Sequence, residues 1–130
     1  MLLPTTLCLA AAAAIVNIWL ANRIGQLRQK LHVSIGDGGH DLLARRMRAQ
    51  LNFAENVPVV LVLVAAIEFS QKGGLWLAIV GAIFMLGRLL HAFGMDGGKA
   101  QWGRMVGIVS TLLAQAGLAV AAVLIAARVI

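Results

Sequence analysis

Arg48, Asn52 and Glu55 recur at helical spacing within "RMRAQLNFAENVP", residues 46–58, at the start of an otherwise apolar segment. At about 100° per residue these three side chains occupy a sector of about 60°, with Arg45 one turn earlier on nearly the same side. An arginine fork binds carboxylates through paired hydrogen bonds, a glutamate takes an ammonium group, and an asparagine serves a neutral amide. The face is therefore suited to an anionic or zwitterionic ligand. Arg46 and Gln50 point elsewhere, Arg46 toward headgroups and Gln50 toward a different neighbour.

Glu55 lies about 10 Å further along the helix axis than Arg48. An acid at the centre of a membrane span costs about 2.5–3.5 kcal/mol or more, so it is expected to face the bundle and to have a partner. Two readings follow from the residues. Either Glu55 pairs with Arg48 or with Arg88, holding the bundle in register, or the cluster lines a polar pocket open to the cytoplasm. Arg88, His91 and Met95 share a face near the end of the next apolar stretch, and Arg104 opens the one after it. They support the pocket.

Other polar residues carry less. Pro58 lies inside the second span, where it removes a backbone hydrogen bond and is expected to bend the helix. Glu68 reads as a solvated helix end near Lys72. His32, His40 and Asp41 match no metal-ligand spacing, so no metal site is assigned. Cys8 is the single cysteine, which rules out an internal disulfide and suggests a buried, inert thiol.

The elements that must position these residues follow from composition. The 130 residues are 61% hydrophobic and 12% charged, with a mean hydropathy of +0.90, which places the chain in the membrane class. Spans need about 20 apolar residues each, and four such stretches are present, at roughly 3–24, 47–69, 74–93 and 105–128. The expected fold is all-α: a single domain over residues 1–130, an integral membrane four-helix bundle. The first stretch is read as a retained helix rather than a secretory signal, because its basic residues follow it.

A net charge of +6 would suggest nucleic acid in a soluble protein, but here the charges flank the spans. Arg23, Arg28, Lys30, Arg45, Arg46 and Arg48 lie around the first loop, and Arg88, Lys99 and Arg104 around the third. By the positive-inside rule these loops are cytoplasmic and both termini lie on the opposite side. The partner is a lipid bilayer, and no nucleic acid is expected. "GDGG" at 36–39 reads as a turn, with Asp41 capping the next helix. Gly103, Gly107, Ser110, Ala114, Gly117 and Ala121 form a stripe of small residues for close helix packing, within the bundle or against another subunit.

The pattern R-A-x-x-N-x-x-E-x-x-P, formed by Arg48, Ala49, Asn52, Glu55 and Pro58, resembles the signature of the membrane-associated proteins in eicosanoid and glutathione metabolism, the MAPEG family. The "GDGG" loop and "GRLLHAFG" in the third span resemble its bacterial branch. The resemblance implies a homotrimer that binds glutathione at each subunit interface near the cytoplasmic side of the inner membrane. It implies Arg28, Arg48, Gln50, Asn52 and Glu55 as glutathione contacts, with His91 beside them. Arg104 would stabilise the thiolate, the catalytic step of a transferase or peroxidase acting on a small lipophilic substrate. Family tyrosines are replaced, with Asn56 and Met95 at two of their places, and the acidic residue before the signature is Ala44. A non-catalytic ligand-binding membrane protein is therefore the second reading, and a small proton-coupled transporter the third.

Overall fold

A computed structural model describes all residues 1–130. Four helices account for nearly the whole chain: α1 (Pro4–Leu31), α2 (Asp41–Phe69), α3 (Leu75–Met95) and α4 (Trp102–Ala126), with a single 3₁₀ turn at Gly98–Ala100. All four apolar stretches are thus helical, and each is long and apolar enough to cross a membrane. The first two helices outrun their spans. α2 has 29 residues, about 43 Å of helix against a hydrocarbon core of about 30 Å. Its first turns, and the last turns of α1, therefore project beyond the apolar layer carrying Arg28, Arg45 and Arg46.

The ends of α1 obey local chemistry. Pro4 occupies its first turn, where the missing N–H is no loss. At the other end His32 adopts a left-handed conformation, φ 57°. Val33 N–H then closes on Arg28 O at 3.0 Å, a Schellman-type stop. The "GDGG" turn forms as expected: Gly36, Gly38 and Gly39 all have positive φ, and Asp37 accepts from Gly39 N–H at 2.9 Å. Asp41 is not the helix cap. His40 takes that position, and Asp41 sits in the first turn of α2, where it pairs with Arg45 one turn on at 2.7 Å.

The core runs between α1, α2 and α3. Leu9, Ala13, Val16 and Leu20 form the inward stripe of α1, Val57, Val60, Val64 and Ile67 that of α2, and Leu77 and Phe84 that of α3. α2 and α3 touch each other and both outer helices, while α1 and α4 hardly meet. Outside, Leu7, Ile15, Ile18, Val62, Ile83, Leu113 and Val123 are all more than half exposed. Such a surface belongs in a hydrocarbon solvent. Cys8 is among the exposed residues, which corrects the expectation of a buried thiol.

Lipid removes the hydrophobic drive between helices, so close packing and polar contacts must hold them together. The small-residue stripe supplies the first of these. A Cβ on Gly107 would stand 2.6 Å from Gly87 O, and one on Gly94 would stand 2.7 Å from the carbonyl carbon of Gly103. The N-terminal half of the stripe is therefore consumed within the subunit, against α3. Gly117, in its C-terminal half, meets nothing.

Polar contacts lock both ends of the bundle. Glu68 accepts from Thr5 N–H and Thr6 N–H, each at 2.8 Å, and from Thr6 Oγ1 at 2.7 Å. It is a cap for the N-terminus of α1, supplied by α2, rather than a solvated end paired with Lys72. At the basic end, Asp96 accepts from Arg23 and also from Arg46, at 3.2 Å. Arg23 lies over the paired rings of Trp19 and Phe93. Arg46 thus serves α2–α3 packing instead of headgroups.

Candidate functional site

α2 carries the polar cluster, and its orientation is set by its apolar stripe. Phe53, Val57, Val60 and Val64 turn inward, and helical phase then forces Arg48 and Glu55 outward. Both are exposed on the subunit, and Asn52 is half-buried beside them. The three do share a face, but it looks away from the subunit's own core. Neither Arg48 nor Glu55 has an ion-pair partner within the chain, and Arg88 has no acidic partner either. The register-holding ion pair is absent.

A groove of about 580 Å³ lies between α1 and α2 under the first loop, lined by Asn17, Arg28, Asp37, Arg48 and Gln50 among others. Its size is that of a small-molecule site. Arg28 helps to build its roof, donating to Gly36 O at 2.6 Å. Gln50 was expected to look toward another neighbour, yet it borders the same groove as Arg48, on the opposite edge. Its phase on α2 is correct; the position of α1 makes the two edges one site.

Asn52 lies on the other side of the cluster, lining a separate small cavity toward α4 with Asn56 and Arg88. Asn56 donates to Asn52 O at 2.8 Å and accepts from Gln115 at 3.0 Å. Gln115 has no sequence pattern to announce it. His91 is 3% exposed and packs against the Gly107 position of α4, away from the groove. Arg104 is exposed at the start of α4. Within one subunit, then, Arg28, Arg48 and Gln50 come together, Glu55 is exposed but does not line the groove, and His91 and Arg104 lie apart.

Residues 6–124 match the model of the MAPEG family. The chain belongs to the MAPEG family. Among curated proteins, the inner membrane protein YecN of Escherichia coli K12 is 27% identical over 95 residues, covering 73% of this chain and 72% of YecN. YecN of E. coli strain CFT073 matches to the same extent. The MAPEG assignment agrees with the four apolar helices, and the protein is a multi-pass membrane protein of this family.

Proposed function

We propose that this MAPEG protein binds glutathione against the outward face of α2, in a site completed by neighbouring copies in a homotrimer. The observation that carries this reading is the exposure of Arg48 and Glu55, unpaired, on a helix that crosses the bilayer. Lipid contact there would be costly, and a zwitterionic ligand together with a second subunit removes the cost. Arg28 and Arg48 would take glutathione carboxylates, Glu55 its ammonium group, and Gln50 and Asn52 its amides. His91, buried against α4, stands outside this face and packs the helix behind it. By analogy with YecN, an inner membrane protein, the membrane is the inner one, and the basic residues around loops 1 and 3 support a cytoplasmic side for those loops with both termini opposite.

Arg104, fixed in charge, would hold the bound thiol as its thiolate. The sulfur then attacks an electrophilic carbon of a lipophilic substrate arriving from the bilayer, forming the C–S bond as the displaced electron pair leaves with the departing group. A second reading, ligand binding without chemistry, is favoured by one feature. The chain has no tyrosine, and Asn56 spends its amide on Asn52 and Gln115.

Calorimetry with glutathione on the purified protein tests the proposal. Binding heat is expected and should fall sharply in Arg48→Ala and Glu55→Ala. No heat at millimolar glutathione would remove glutathione as ligand. Binding without turnover of any electrophile would select the second reading.

A further inference from the structure

Asn17 sits at the midpoint of α1 (Pro4–Leu31), well inside the first apolar stretch, and is exposed on the subunit surface. Among the side chains of α1, those of Thr6, Arg23 and Arg28 bond within the chain. That of Asn17 does not. An amide set against hydrocarbon is costly, because lipid offers it neither donor nor acceptor. Polar side chains at such depth face a partner or a ligand.

Helical phase fixes where Asn17 looks. Asn17, Ile24 and Arg28 fall within about 40° of one another on α1, and all three line the α1–α2 groove. Asn17 is thus the deep end of the site whose other end holds Arg28, Arg48 and Gln50. Its level follows from the pairing of the two antiparallel helices. Thr5 N–H meets Glu68, so Asn17, twelve residues on from Thr5, stands level with Asn56, twelve back from Glu68. Arg28, at 3.5 Å from Met47 Sδ, keeps nearly the same register. Glu55 falls within about 20° of Arg48 and about 40° of Leu51 on α2. Both of those line the groove, so Glu55 stands beside its floor, at the level of Asn17.

Arg48 lies about 10 Å nearer the basic end than this floor. An extended tripeptide covers about 10 Å, so a ligand with a carboxylate on Arg48 brings its other end to Asn17 and Glu55. We propose that Asn17 is a further binding residue of the glutathione site, its Oδ1 accepting a hydrogen bond from the ammonium group that Glu55 holds. The inference rests on the glutathione reading above. An ammonium has three donors, and one carboxylate beside the groove leaves some of them for the groove floor. An asparagine supplies the missing acceptor without bringing another charge into the bilayer.

Calorimetry with glutathione on the purified protein, as wild type, Asn17→Leu and Asn22→Leu, tests this. Asn22 is exposed on α1 but does not line the groove. Asn17→Leu should weaken glutathione binding roughly ten-fold or more, and Asn22→Leu should leave it unchanged. Leucine suits a lipid-facing helix, and sedimentation in the same detergent checks the assembly of the variant. Undiminished affinity in Asn17→Leu, or an equal loss in Asn22→Leu, overturns the proposal. Loss of binding together with dissociation of Asn17→Leu assigns Asn17 to a contact between copies and overturns it as well. Absence of heat in the wild type removes the glutathione reading itself, and this inference falls with it. A second readout is taken on the wild-type chain labelled with ¹⁵N-asparagine. The Asn17 Nδ2 signal, assigned by its absence from Asn17→Leu, should shift saturably with glutathione and not with N-acetylglutathione, which lacks the ammonium. Equal shifts with both would overturn the assignment to the ammonium.

Discussion

Replacing Asp96 by asparagine keeps its shape and removes the charge that two arginines share. Arg46 donates from Nε at 3.2 Å and from Nη2 at 3.4 Å, and Arg23 binds the second oxygen. The side chains are 11% (Arg23), 23% (Arg46) and 24% (Asp96) exposed, so the cluster is screened little by salt. Breaking a fully buried pair costs about 3–5 kcal/mol. A single hydrogen bond to a charged group is worth about 1.5–3 kcal/mol. With partial exposure and long Arg46 bonds, Asp96→Asn should cost about 2–3 kcal/mol, a roughly 30- to 150-fold shift in the folding equilibrium.

Unfolding in mixed detergent micelles, read by tryptophan fluorescence, measures this, because Arg23 lies 4.8 Å over the Trp19 ring. The control is Asp41→Asn. Its pair with Arg45 is 43% and 82% exposed, and its loss should cost no more than about 0.5 kcal/mol. A cost for Asp96→Asn no larger than that of the control would refute the view that this cluster locks α1, α2 and the α3–α4 turn.

Three more outcomes are expected. Glu68→Ala should cost about 2 kcal/mol in the same assay through loss of the α1 cap, while Lys72→Ala costs nothing; equal effects would restore the Glu68–Lys72 pairing. Gly107→Val should cost at least about 3 kcal/mol because α4 cannot retreat from α3 without loosening the bundle, whereas Gly117→Ala should be neutral or stabilising; folded yield after extraction ranks them. If Arg104 holds the thiolate, the ultraviolet absorbance of bound glutathione should titrate lower in wild type than in Arg104→Ala. The midpoint in the variant should rise by about 1–3 pH units, since the cation favours the charged form. Equal midpoints would take Arg104 out of the chemistry.

Much of the candidate site was legible because helical phase is a local property. Arg48, Asn52 and Glu55 must share a face on any helix, and Asp37 with its glycines must turn in any fold. Direction was not legible. The cluster was expected to aim inward because an acid in a span is costly, but Phe53, Val57 and Val60 on the opposite face have a stronger claim on the core. Gln50 joined Arg48 for a similar reason: α1 lies over the ridge between them, and nothing in α2 announces where α1 lies. Glu68 and Asp96 were misread or passed over because their partners, Thr5 and Arg23, are more than sixty residues away in sequence.

By itself the sequence determined four membrane helices, the basic end that carries the polar residues, the turn at 36–39, and a resemblance to a family through the signature at 48–58, the "GDGG" loop and the third span. Those properties arise from hydropathy and backbone geometry, which act over a few residues at a time. Only the tertiary structure decided which partner each charge finds: Glu68 at the start of α1, Asp96 between two arginines, Arg88 left without an acidic partner inside the bundle. Charges act across space, and in a low-dielectric bundle the meaning of each one is set by whichever helix happens to face it.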